Sequence, residues 1–138
     1  MPETTGDIPI LLIVDDDELV LSSLQAYLSA AGYETLASRT IGEVLRVCQR
    51  FGIMPAAAIL NYHLHDGLSL DERIALLTNH FPDLPVTVLT GDTSGQTAAI
   101  VRRSGASLLH KPVAPLEILA YVRGLLNLGP VRDEDLSH

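Results

Sequence analysis

Residues 57–67 read AAILNYHLHDG. An apolar run over 56–60 stops abruptly at Asn61, and a short polar loop follows. A run of this length with no alternation suits a strand buried on both faces, which delivers the next residue to the rim of a sheet. Asn61 is therefore expected at the mouth of a site built from several strand ends. The rest of the chain can be read by asking which other strands end at that rim and what they bring to it.

Working outward, the pattern alternates between short apolar runs and helical periodicity. Residues 9–14 (PILLIV) are another continuous apolar run and a candidate first strand. Over 17–31 Leu21, Leu24, Leu28 and Ala31 recur at helical spacing, and Gly32 follows as a terminator. Residues 33–37 form a short second strand. Thr40-x-x-Glu43 is a capping box opening a helix that turns Val44, Val47, Cys48 and Phe51 inward. After the third strand, Ser69-x-x-Glu72 is a second capping box, for a helix running to about 80 with Ile74 and Leu77 inward. Residues 85–89 (PVTVL) are the fourth strand, Thr93-x-x-Gln96 reads as a third capping box, and Gly105 ends that helix. Residues 107–109 are a short fifth strand. Pro115 fits the first turn of a last helix, where its missing N–H costs nothing, and Leu119, Val122 and Leu126 line the inner face. Five strands alternating with five helices predict an α/β protein, a parallel sheet covered on both faces and doubly wound by right-handed crossovers. Ligands of such sheets bind beyond the carboxyl ends of the strands.

Composition bounds the function. A chain of 138 residues is read as one domain, 9–128, with polar tails at 1–8 and 129–138. The balance of 9 basic against 17 acidic residues, net −8, argues against direct binding of nucleic acid or an anionic membrane. The single Cys48 cannot form an internal disulfide, the N-terminus has no basic leader region, and the apolar runs are too short to span a bilayer. A cytoplasmic location is expected.

The residues just past each strand converge on one rim: Asp15, Asp16 and Asp17 after the first, Asn61 after the third, Thr90 and Gly91 after the fourth, His110 and Lys111 after the fifth. Carboxylates suit a hard divalent cation such as Mg²⁺. A hydroxyl and an ammonium suit phosphoryl oxygens, one as donor and one as point charge. Each position has a plainer reading: Asp17 as a helix N-cap, Thr90 as a strand end, Lys111 as a solvated lysine. The coincidence of all four strand ends favours a phosphoryl-type site with one part replaced. His63-x-His65 lacks a third ligand at a recognisable spacing and reads as loop. His80 and His110 read as surface residues, Cys48 as core.

The segments IVDDDE (13–18), AILNYHLHDG (58–67), VTVLTGD (86–92) and LLHKPV (108–113) resemble, in order and spacing, the receiver domains of bacterial two-component response regulators. The LLHKPV ending and the YHL loop are most similar to receivers attached to hybrid histidine kinases. The resemblance implies a flavodoxin-like (βα)5 fold with strand order 2-1-3-4-5. It implies that Asp15 and Asp16 are the metal-binding acidic pair, with the His63 backbone carbonyl and Asn61 completing the shell. Asn61 matches the phosphorylated aspartate, Thr90 the switch hydroxyl, and Lys111 the lysine that precedes a cis proline, here Pro112. Leu108 stands where the family usually has a switch aromatic, and His65 and Ser69 replace a common Pro and Gly.

An amide oxygen is a poor nucleophile, and the amide nitrogen's lone pair is delocalised, so Asn61 cannot carry the family's aspartyl-phosphate chemistry. Mg²⁺ binding is expected to be weak or lost, and no organic cofactor is expected. The leading reading is a non-enzymatic phosphorelay module that signals by protein–protein contact without phosphorylation. Its partners would be a histidine kinase or another signalling protein, or a second copy docking through the fourth helix, fifth strand and fifth helix, where Ala98, Val101, Leu108 and Tyr121 fall. An ordinary Mg²⁺-dependent receiver carrying an engineered Asp-to-Asn change at 61 is the second reading. A haloacid-dehalogenase-like phosphatase, with Asp15-x-Asp17 as its motif, is a third; that motif wants Thr or Val where Leu19 stands, and no cap domain fits this length. A flavin carrier would need a phosphate loop after the first strand, where three aspartates repel phosphate.

Overall fold

The structure, a computed structural model, describes residues 8–126. The chain runs β1 (Ile10–Val14), α1 (Glu18–Ala30), β2 (Glu34–Ser38), α2 (Ile41–Phe51), β3 (Ala57–Asn61), α3 (Leu70–His80), β4 (Val86–Thr90), α4 (Gly95–Arg103), β5 (Ser107–His110) and α5 (Pro115–Leu125). The strands form one parallel sheet in the order β2-β1-β3-β4-β5, as the resemblance implied. The tails expected at either end fall, apart from Ile8, outside the described residues.

Because side chains alternate across a strand, each apolar run feeds two cores. Leu12, Val14, Ala58, Leu60, Val86 and Val88 pack with α2, α3 and α4. Leu11, Ile13, Ala57, Ile59, Leu89 and Leu109 pack with α1 and α5. The three central strands are therefore buried along almost their whole length, whereas edge strand β2 is only half-buried.

Local chemistry sets the helix boundaries. Asp17 accepts the N–H groups of Leu19 and Val20 and caps α1, as expected, and Gly32 follows at φ 96, a conformation open to glycine. Thr40 caps α2, and Ser69 with Glu72 forms a full capping box on α3. Two expectations need correction. The cap of α4 is Ser94, which accepts from the Thr97 N–H, rather than Thr93 with Gln96. Asp92 Oδ1 accepts the Ser94 N–H at 2.8 Å, and that turn carries the chain one residue further before the helix starts. Phe51, expected inward, is 68% exposed. The inner stripe of α2 is Ile41, Val44, Leu45 and Cys48; Phe51 lies off its centre in the last turn, with the Arg50 guanidinium 5.6 Å above its ring.

Candidate functional site

The sheet ladder continues one residue beyond the strands and thereby fixes where the rim side chains emerge. Asp15 N–H donates to Ser38 O, Tyr62 N–H to Leu89 O, and Lys111 N–H to Thr90 O. Register sets Val14 beside Leu60 and Asn61 beside Leu89, so the ends of β1, β3, β4 and β5 form one rim.

At this rim Asp15 is 1% exposed and its charge is met from two sides. Lys111 Nζ lies 3.1 Å from Oδ2, and the Asp17 N–H donates to Oδ1 at 3.0 Å. A buried carboxylate needs such partners, since its desolvation is otherwise costly. Asp16 is half-buried; its Oδ2 lies 2.5 Å from His65 Nδ1 without the alignment of a hydrogen bond, and it makes none elsewhere. Asn61, 9% exposed, donates from Nδ2 to the His63 carbonyl at 2.6 Å. That contact fixes the orientation of the amide, because a carbonyl can only accept. Thr90 is fully buried, and its Oγ1 accepts the Asp92 N–H at 3.0 Å. Lys111–Pro112 is cis, as the resemblance implied. Leu108 is half-buried, and its carbonyl accepts from the Tyr121 hydroxyl. Of the residues named for the α4–β5–α5 face, Val101 packs inward.

Two groups went unread in the sequence. Arg73, on α3, is 4% exposed. Its Nε and Nη2 grip Asp66 at 2.8–3.2 Å, while Nη1 reaches Tyr62 O and Nη2 reaches Leu64 O. Hydrogen bonds from this guanidinium are the main cause holding the Asp66 carboxyl below its ordinary range. The signal was present: position 73 lies three residues after Leu70 and four before Leu77, on the apolar stripe, so a charged residue there had to be paired. Asp92 is the second. The Thr97 hydroxyl, donating at 2.6 Å, and the Ser94 N–H lower its pKa and tie the β4–α4 loop to the helix start.

The groups assigned to a Mg²⁺ shell can be tested on these contacts. Hard cations need oxygen lone pairs. The Asp15 oxygens face Lys111 and the Asp17 N–H, the His63 carbonyl accepts from Asn61, and Asn61 turns an N–H toward that carbonyl. Asp16 Oδ2 is buried without a hydrogen bond and faces His65 Nδ1. As arranged, this set does not fit the cation, and among the described residues no group of three or more His, Cys, Asp and Glu could hold a metal.

A five-stranded 2-1-3-4-5 sheet with an acidic pocket, a hydroxyl and a cis-proline lysine on its carboxyl rim defines a class. The response regulator receiver domain profile matches residues 11–123, and the chain belongs to that family, the phosphorelay modules of two-component signalling. It is 32% identical over 116 residues to the photosynthetic apparatus regulatory protein RegA of Rhodovulum sulfidophilum, covering 83% of this chain and 62% of that protein. It is 32% identical over 121 residues to the transcriptional regulatory protein PrrA of Mycobacterium tuberculosis, covering 86% and 50%. The chain thus spans about half the length of such relatives. A crystal structure of a CheY-like response regulator receiver domain protein from Methanospirillum hungatei JF-1 superposes with a TM-score of 0.78 at 26% identity, covering 88% of this chain and 96% of that one. The phosphatase reading gives way here, and Asp17, its second motif aspartate, is the cap of α1. Receiver domains typically bind Mg²⁺ at the phosphorylation site. Among the described residues no helix is long and apolar enough to cross a membrane.

Proposed function

We propose that residues 9–128 act as a cytoplasmic receiver domain in which Asn61 stands at the phosphoacceptor position, and that it signals by shape rather than by phosphorylation. The observation that carries this reading is the Asn61 Nδ2 to His63 O hydrogen bond of 2.6 Å. An aspartate could not make it, because two acceptors would face each other. Asp15 and Asp16 stand at the metal-binding pair, Thr90 at the switch hydroxyl, Lys111 at the phosphoryl-binding lysine, and Leu108 at the switch aromatic. With the amide and the Lys111–Asp15 pair in place, Asp15, Asn61, Thr90 and Lys111 each already have a hydrogen-bond partner within the chain. The domain has no enzymatic role in this reading; it is bound by a histidine kinase or another signalling protein, or by a second copy. Supporting the last, Tyr121 on α5 is exposed and its hydroxyl donates to Leu108 O on β5, joining the two elements into one face.

Beryllofluoride, a phosphoryl mimic that needs a carboxylate oxygen, tests the assignment of Asn61. With Mg²⁺ present it should shift the amide spectrum of Asn61→Asp around residues 61–63, 90 and 111 and leave the wild type unchanged. An Asn61→Asp variant that ignores the probe would refute the position, and a wild type that binds it would refute the loss of function.

A further inference from the structure

Three consecutive carbonyls in the β3–α3 loop are held by side-chain donors from two different residues. Arg73 donates to Tyr62 O at 3.0 Å and to Leu64 O at 2.9 Å. Between them, His63 O accepts from Asn61 Nδ2 at 2.6 Å. A donor that holds the carbonyls on either side of His63 O restrains the backbone before and after it, and so restrains the direction of that carbonyl as well. The guanidinium is itself held. Its Nε lies 3.2 Å from both Asp66 oxygens and its Nη2 lies 2.8 Å from Oδ1, while Oδ1 also accepts the Leu68 N–H at 3.1 Å. Both side chains are nearly closed to solvent, so water competes weakly for any of these bonds. A planar fork suits this task; a lysine could neutralise Asp66 but could not reach the carboxylate and both carbonyls together.

We propose that Arg73 is a positioning residue, which with Asn61 clamps residues 62–64 and holds the His63 carbonyl turned to the strand ends without a cation. In this chain the amide supplies from within the protein the partner that the carbonyl would otherwise take from outside. The proposal deepens the function proposed above, and rests on it for the statement that Asn61 and His63 O belong to the signalling site.

The test uses the full chain with Mg²⁺ alone as probe. In the wild type, one proton of the Asn61 side-chain amide should exchange with solvent far more slowly than a free primary amide, and Mg²⁺ should cause no saturable shift at 61–64. Arg73→Lys should speed that exchange. In an Asn61→Asp background, where Mg²⁺ is expected to bind, adding Arg73→Lys should weaken its affinity by about ten-fold, the scale found for residues that orient metal ligands. A merely structural Arg73 would lower Tm while leaving amide exchange and Mg²⁺ affinity where they were, and that result overturns the proposal. Should Arg73→Lys fail to fold, Asp66→Asn, which releases the fork, must speed the Asn61 exchange; no change there also overturns it. So does a wild-type Asn61 amide that exchanges like a free one. The wild-type exchange needs neither beryllofluoride nor phosphorylation, so it can fail or succeed independently of the acceptor assignment.

Discussion

At the residue scale, replacing one carboxylate by an amide changes both charge and hydrogen-bond direction. Two carboxylates about 4 Å apart repel by roughly 4 kcal/mol at an effective dielectric near 20. Asn61 avoids that repulsion toward Asp15 and Asp16, and its N–H satisfies His63 O. Asn61→Asp should therefore lower Tm without Mg²⁺, by up to roughly 4 kcal/mol of stability, and acquire Mg²⁺ affinity with recovery of Tm when the cation is added. Unchanged Tm and unchanged Mg²⁺ affinity in calorimetry would contradict this. Asp66 gives a pH prediction. Its folded pKa lies below the ordinary value because Arg73 hydrogen-bonds the charged form. Its contribution is then fully present above the unfolded pKa of about 3.9 and is lost as pH falls through the folded value. The stability gap between wild type and Asp66→Asn should be constant from pH 7 to about 5 and shrink as pH falls below about 4; a gap that widens on acidification would refute the assignment. The polar rim was legible because Asp15, Asn61 and Thr90 each directly follow an apolar run, and Asp16 and Lys111 come one residue later. The Arg73–Asp66 pair was not, because its partners lie seven residues apart across a loop whose path no periodicity reveals.

At the element scale, caps and stripes decide most boundaries, and their failures are informative. Thr40 and Ser69 were readable because hydroxyl and Glu stand three apart, the geometry that the first turn imposes. Thr93-x-x-Gln96 has the same spacing, yet Asp92 captures Ser94 first, a local competition that a spacing rule does not contain. Phe51 shows the same limit for stripes, since a residue in the last turn can leave the core while remaining near its apolar face. Helix α5 starts at Ala114 with extended φ and ψ, no side-chain cap, Pro115 in its first turn, and Glu117 three residues on. Ala114→Ser should complete a capping box with Glu117 and stabilise the domain by about 1 kcal/mol, or about 3 °C in Tm. A thermal scan showing no gain would mean that the α5 start is held by something other than its N-terminal hydrogen bonds.

At the scale of the whole molecule, the alternation of strand and helix was enough to imply the layered architecture, while the strand order came with the family resemblance. The acidic balance, net −8, disfavours electrostatic attraction to nucleic acid, in keeping with the proposal that this domain acts through protein contacts. If the α4–β5–α5 face pairs two copies, Leu108→Asp should shift sedimentation from dimer toward monomer. An unchanged profile with unchanged partner binding counts against that face.

The central claim is that the pocket is a receiver site altered at one side chain. Intact mass after incubation with Mg²⁺ and a small-molecule phosphodonor, on wild type and Asn61→Asp in parallel, tests it most directly. The account predicts a phosphoryl adduct on Asn61→Asp and none on the wild type. An adduct on the wild type would place the acceptor elsewhere, and its absence from both would mean that the pocket has lost more than its carboxylate; either result contradicts the account.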